Sequence, residues 1–400
     1  MESLRELYRI GPGPSSSHTL AIRNACLYFK GKYPSVKKFI VNLYGSLALT
    51  GKGHFTDRII IDTFGSDNVK VNFVHKFNDK HPNALDICDA DSELVVTIYS
   101  IGGGAFSVEG EKYLVDKNIY PHNTMAEIEK YCLDNSLSLF EYVLKYEPNI
   151  LEHLTNVFNQ MKRTIQSGLN GTGLLPGPLK LERIAKQLYE KAKCSDVEER
   201  RQLYLSSYAY AISEENASGH MVVTAPTLGS CGVLPSLMYY YLVNKNVEES
   251  KIIEALAVAG LFGNVVKTNA TISGAEGGCQ AEIGVACAMA AAACSYIEGL
   301  SIAQICYAAE IGIEHHLGLT CDPVGGFVLI PCIERNGVAT LRAYDAMLYA
   351  KVIGDIKLNK VSFDMVVQTM KYTGQKIALE LKETALGGLA LVLPIDEENT

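Results

Sequence analysis

The 400-residue chain has no excess of positive charge, no close cysteine pair and no long uninterrupted apolar run. Each absence removes a class of function. Lysine and arginine number 36 against 44 acidic residues, a net charge of −8, so no basic field draws in nucleic acid or an anionic membrane surface. Neither is expected as a partner. CxxC spacing does not occur, which excludes zinc ribbons, zinc fingers and thioredoxin-like redox motifs. The tight cysteine runs of ferredoxins are missing too. The longest apolar stretch, Ile283 to Cys294, is too short and too alanine-rich to cross a bilayer and reads as a buried helix. Met1 to Tyr8 is charged and short of apolar residues, unlike a secretory signal, so a cytoplasmic protein is expected. Internal repeats and low-complexity tails are also lacking.

What is present is globular. Hydrophobic residues make up 48% of the chain and charged residues 20%, enough apolar material for a large core. Eleven cysteines are spread from Cys26 to Cys332. In so large a cytosolic chain they read as small buried hydrophobes or metal ligands rather than as a disulfide framework. Any metal site must be assembled by the fold from distant cysteines.

The predicted fold class is α+β: a small N-terminal α/β domain followed by a large all-α domain, divided as residues 1–120 and 124–400. In the first part, Thr19–Phe29 reads as a helix. Phe39–Leu43, Arg58–Ile61, Val69–Val74 and Glu93–Tyr99 read as strands. Beyond Thr124 the periodicity is helical. Thr124, Ser195 and Ser301 each open a capping-box pattern. Helices are expected over Leu181–Lys193, Val197–Ile212, Ser250–Phe262, Ala281–Ile297, Ile302–His315 and Ala339–Val352. Gly-rich loops at 168–178, 225–232, 270–279 and 321–326 separate some of them.

Several clusters carry chemistry. Gly13-Pro14-Ser15-Ser16-Ser17-His18-Thr19 delivers hydroxyls and an imidazole to a helix start, where backbone N–H groups favour a carboxylate or phosphate. A histidine there can move protons, although a serine cap beside an incidental histidine explains the pattern equally well. Gly51 to Asp57 gathers His54, Thr56 and Asp57, and taken alone reads as a loop with a local Asx turn. Ser218, His220 and Thr224 lie in a small-residue connector between helices. Asn269 and Ser273 lead into Cys279, which opens a helix where the dipole favours thiolate. Cys321 and Cys332 follow 42 and 11 residues later, also at loop–helix junctions. Iron–sulfur clusters need thiolates converging from such loops, yet three dispersed cysteines are more often structural.

Eight motifs then occur in order: GPSSSHT, YGSLALTGKGHxTD from Tyr44, YSIGGG from Tyr99, SGHMVVTAPT, ISGAEGGCQ, EHHLGLTCDPVGG, PCIERN and KETALGGLA from Lys382. Together they cover nearly the whole chain and resemble the iron–sulfur-dependent L-serine dehydratases, in the single-chain arrangement with the β domain first. The resemblance implies β-elimination of L-serine to pyruvate and ammonia, on an open iron of a 4Fe–4S cluster held by Cys279, Cys321 and Cys332. It implies His18 and His54 as base and acid. Ser15, Ser16, Ser17 and Thr19 are then carboxylate or hydroxyl binders, and Ser218, His220, Thr224, Asn269 and Ser273 line the pocket between the domains. A homodimer is the expected assembly.

One feature departs from the family. Relatives often carry a cysteine shortly after the GGLA motif, which inserts as the fourth cluster ligand. No cysteine follows Cys332 in this sequence, which runs out as Pro394–Thr400. The fourth iron is therefore expected to hold solvent or substrate and to be oxygen-labile, with Cys231 as the spare thiol. Cys287, about 12 Å along a helix from Cys279, is too far for one cubane. Two other readings compete. One is a pyridoxal-phosphate dehydratase with Lys267 as Schiff-base lysine; the other is a non-enzymatic iron–sulfur or amino-acid sensor, which has no use for proton-carrying histidines.

Overall fold

The computed structural model describes residues 1–111, 118–357 and 359–393. The cysteine-free tail Pro394–Thr400 lies outside the described residues.

The first strand, β1 (Ile10–Pro12), leads into a wide helical turn over Ser16–Leu20 and then α1 (Ala21–Lys32). There follow β2 (Phe39–Tyr44), α2 (Ser46–Leu49), α3 (Thr56–Phe64), β3 (Val69–Val74), β4 (Ala84–Asp89), β5 (Val95–Ser100) and β6 (Phe106–Val108). These strands form one sheet in the order β3-β2-β4-β5-β6, in which only the β2–β3 pair is parallel. Alternation dictates its faces: Phe39, Val41 and Leu43 of β2 are buried while their neighbours are half-exposed. Helices α1 and α3 close that face over Cys26, Phe29, Ile60 and Phe64.

The expected strand at Arg58–Ile61 is instead the middle of α3. Thr56, Ile60 and Phe64 are its buried residues, a helical four-residue spacing that the β-branched run Ile59-Ile60-Ile61 disguises. Gly65, at φ 94°, ends it. Strand β4 was not foreseen; its apolar residues are interrupted by Asp86 and Asp89, and pairing with β2 and β5 secures it.

The helical part comprises α4 (Met125–Asp134), α5 (Leu139–Tyr146), α6 (Ile150–Asn170), α7 (Ala185–Cys194) and α8 (Val197–Ala217), then β7 (Met221–Val223). After it come α9 (Val233–Asn244), α10 (Glu249–Asn269), α11 (Gly274–Gly277), α12 (Ile283–Ile297), α13 (Ile302–Glu314), α14 (Cys332–Ile353), α15 (Phe363–Lys376) and α16 (Leu389–Val392). The α+β class expected from the sequence is observed. The Thr124 and Ser301 capping boxes form, with Glu127 and Gln304 reaching back. That at Ser195 does not. Asp196 caps α8 instead, accepting from the Glu198 and Glu199 N–H groups at 3.0 Å, because a carboxylate one residue later outcompetes the hydroxyl. Ser195 Oγ turns back to the Lys191 carbonyl.

Helix α12 is the hub. Every residue from Ile283 to Ser295 is buried, and alanines let α10, α13 and α14 approach closely. The segment Cys279–Ile297 is long and apolar enough to cross a membrane, yet 83% of it lies inside the protein. A Cβ on Gly312 of α13 would stand 2.7 Å from the Ala288 Cα. Gly312→Ala should therefore destabilise the fold by about 1–3 kcal/mol, read as a lower urea midpoint. Gly31→Ala, with open space around the new methyl, should leave the midpoint unchanged or raise it.

The two parts are stitched together. Met1, Leu4, Leu7 and Tyr8 belong to the helical core, with Tyr8 Oη donating to the Leu256 carbonyl at 2.9 Å. Strand β1 then pairs with β7, Ile10 opposite Val223. That pairing delivers residues 13–19 to the seam between sheet and helices.

Candidate active site

At the seam, Ser15 caps the wide turn, its Oγ accepting from the His18 N–H at 3.2 Å. The turn closes with the Leu20 N–H on the Ser15 carbonyl, a five-residue bulge of the kind found at functional sites. His18, fully buried, is gripped at both nitrogens. Nε2 lies 3.1 Å from Ser46 Oγ and 3.0 Å from Thr50 Oγ1, and Nδ1 lies 2.9 Å from Ser17 Oγ. The Ser46 hydroxyl donates to the Glu383 carbonyl and that of Thr50 to the Ser46 carbonyl. Both can only accept from His18, which assigns the hydrogen to Nε2 and the lone pair to Nδ1.

His54 stacks on His18 with ring centroids 4.4 Å apart. Its Nδ1 faces the Thr50 carbonyl at 2.9 Å and must carry the hydrogen, leaving the Nε2 lone pair free. Thr19 holds this loop by donating to the His54 carbonyl at 2.8 Å. Both lone pairs converge on one atom, Glu383 Oε1, at 3.4 Å from His18 Nδ1 and 3.9 Å from His54 Nε2. Ser17 Oγ lies 3.2 Å from the same carboxyl, and its one hydrogen serves either that oxygen or His18 Nδ1. Burial lowers His18 to about 4 and takes His54 well below its usual range, the His18 charge adding to the second shift. Burial raises the Glu383 carboxyl to about 7, with the Ser17 hydroxyl and the Ala275 N–H pulling the other way.

Glu383 arrives from the far end of the chain. Its N–H donates to the Cys321 carbonyl at 2.7 Å, and the Cys321 N–H donates to the Leu381 carbonyl at 2.8 Å. This bridge sets the imidazole pair beside the cysteines. Cys279, Cys321 and Cys332 lie close enough for their thiols to act on one another electrostatically. The Arg335 guanidinium faces all three while donating to the Thr320 carbonyl at 2.6 Å. Cys279 opens a short turn before α12, but the expected dipole effect loses to burial, which pushes its thiol up to about 11 even with Arg335 pulling it down. Glu282 stands alongside: a Cβ on Gly274 would lie 2.6 Å from its Oε2 and 3.4 Å from Cys321 Sγ. Burial and then the Glu383 charge raise the Glu282 carboxyl.

The remaining sequence candidates sit around this centre. Ser16 Oγ accepts from the Leu228 N–H at 3.1 Å and ties the turn to the 225–232 loop. Ser273, buried, precedes the turn whose Ala275 N–H reaches the Glu383 carboxyl. Four others are engaged elsewhere. Thr224 Oγ1 donates to the Leu7 carbonyl, and Ser218 Oγ to the Glu214 carbonyl while taking a bond from Arg183. His220 is exposed and paired with Glu215, and Asn269 donates to the Asn123 and Val265 carbonyls. Cys231 is buried, and none of the three clustered thiols is among the groups acting on it. Lys267 is bound to Glu2 at 2.6 Å.

Glu383, Arg335, Ser46 and Thr50 were not singled out from the sequence, although each lies inside a quoted motif. The glutamate in KETALGGLA and the arginine in PCIERN were the available signals. Glu282, three residues after Cys279, carried none.

Comparison with known proteins places the chain among its relatives. Residues 3–70 match the model of the serine dehydratase beta chain and residues 85–390 that of the alpha chain. An L-serine dehydratase of Haemophilus influenzae is 36% identical over 98% of this chain and 99% of its own length. L-serine dehydratase 1 of Escherichia coli is 36% identical over 99% of this chain and 100% of its own. An L-serine dehydratase of Helicobacter pylori (strain J99) is 36% identical over 98% and 99%. The chain belongs to the L-serine dehydratase family, in the form that carries the beta-type segment ahead of the alpha-type segment in one polypeptide.

Proposed function

We propose that the protein is an L-serine ammonia-lyase that converts L-serine to pyruvate and ammonia with a 4Fe–4S cluster held by Cys279, Cys321 and Cys332. The observation that carries this reading is the convergence of three thiols, from three separate segments, beside two neutral imidazoles that share one carboxyl. The donor set fits the group. Two cysteines at helix starts and a third on the bridge to Lys382 are suited to a cubane, and Arg335 offsets the charge that thiolate ligands bring. When bound, the cluster supplies Lewis acidity toward the hydroxyl of serine, which is otherwise a poor leaving group.

The protein does the proton work. His54 Nε2 has no hydrogen-bond donor on it among the described residues and is the base for the α-proton. His18 keeps that ring in place by stacking and links it to Ser17 and Glu383. The Glu383 carboxyl, raised by burial and with Oε1 facing both rings, is the group that returns a proton when the hydroxyl departs. Burial keeps bulk water from competing for these protons. The aminoacrylate released tautomerises to an imine and hydrolyses to pyruvate and ammonia. Anaerobic purification, reconstitution with iron and sulfide, and assay of pyruvate from L-serine test the reading. The expected result is pyruvate formation that depends on cluster content. Turnover by cluster-free protein carrying a Schiff-base absorbance would favour the pyridoxal-phosphate reading instead.

A further inference from the structure

Beside the imidazole pair lie buried polar atoms that the mechanism above does not use. Asn83 is fully buried, and neither its Oδ1 nor its Nδ2 has a hydrogen-bond partner among the described residues. The same holds for Ser100 Oγ and Ser273 Oγ, at 0% and 2% exposure. The backbone brings the three together. The Ser100 N–H donates to the Asn83 carbonyl at 2.9 Å, at the paired ends of β5 and β4. The chain then turns through Gly102, whose φ of 90° suits glycine and where a Cβ would stand 3.3 Å from the Ser273 Cβ.

The group is anchored to both walls of the site. The Pro82 carbonyl accepts from the Ser46 N–H at 3.0 Å, and Ser46 is the residue whose hydroxyl holds His18. On the other side His81 Nε2 lies 3.4 Å from Glu276 Oε1. Glu276 follows Ala275, which contacts Glu383, and precedes Cys279.

An amide enclosed in protein with all its hydrogen-bonding positions empty is an uncompensated loss, and a leucine of similar size would serve the apo fold better. It is explained by a ligand that both accepts and donates at close range. An α-amino acid head does so, its carboxylate accepting from the amide N–H and its ammonium donating to the amide oxygen. We propose that Asn83, with Ser100 and Ser273, is the subsite that binds the ammonium and carboxylate of the substrate. It rests on the reading of L-serine as substrate and adds the residues that hold its head while the hydroxyl faces the cysteines.

The test compares the reconstituted holoenzyme with Asn83→Leu, Asn83→Asp and Ser100→Ala. Removing the amide should raise the KM for L-serine about 10–100-fold while kcat changes far less, with iron content unchanged. Asn83→Leu should melt at the same temperature as the wild type or higher when no serine is present. Asn83→Asp, which sets a carboxylate against the substrate's own, tests the same contact if the leucine variant does not fold. A KM within about twofold of wild type in the folded Asn83 variants overturns the subsite and leaves ordered water as the occupant. A drop in ligand-free melting temperature with KM unmoved marks a structural role and overturns it equally. Wild-type holoenzyme that fails to turn over L-serine would instead sink the proposed function.

Discussion

Cys279→Ala, Cys321→Ala and Cys332→Ala are each expected to lose both bound iron and pyruvate formation. The three thiols come from the start of the α12 region, from the strand-like bridge to Lys382 and from the first residue of α14. Each is fixed by a different piece of backbone, so no neighbour can shift to replace a missing one. Iron and sulfide quantitation on anaerobically reconstituted protein reads the result directly. Full iron retention in any one variant removes that residue from the site. The controls are Cys26, in the sheet-domain core, and Cys132, whose thiol faces the Ser138 carbonyl. Cys88, Cys194, Cys231 and Cys306 serve in the same way. Alanine at any of these should leave the iron content intact, whatever it does to stability. A fall in iron on losing Cys231 would make that thiol a ligand.

The second large effect is expected at His54. Alanine there should lower kcat by about 10²–10⁴-fold and leave the cluster absorbance unchanged. The ring is buried, and its Nε2 faces the carboxyl at 3.9 Å, beyond hydrogen-bond distance, so its lone pair is not spent on that group. Removing it opens a ring-sized space against that carboxyl, and added imidazole should recover part of the rate. His18→Ala should also lose activity but resist such rescue. Its ring is held by Ser17, Ser46 and Thr50 together, so its loss leaves three buried hydroxyls without that partner at once. Normal kcat in His54→Ala would move the base to another group.

Placing the base at one histidine rather than either was beyond the sequence. GPSSSHT and GKGHxTD present two equivalent imidazoles. Only the hydroxyl network, with Ser46 and Thr50 spending their hydrogens on carbonyls, distinguishes a ring bonded at both nitrogens from one with a free lone pair. The same holds for Glu383. It is 366 residues from Ser17 in the chain, and local pattern has no means of expressing that they touch.

The sequence by itself determined the class of the fold, most helices, the capping residues Thr124 and Ser301, and the cysteines and histidines to which we assign the chemistry. These follow from periodicity, short-range capping and motif identity, all carried by neighbouring residues. It misread Arg58–Ile61, because β-branched residues that favour strands also fit a short helix when one face packs on a sheet. The tertiary structure decided what depends on contact across the chain. It separated Ser17, His18 and His54 from Thr224, Ser218, His220 and Asn269, whose polar groups are bonded away from the centre. It brought Glu383 and Arg335 to the cysteines, and it enclosed the Asn83 side-chain amide with no hydrogen-bond partner among the described residues. A hydrogen bond is satisfied or left open only once the fold has chosen its neighbours, so the chemistry of this site is written in the packing as much as in the motifs.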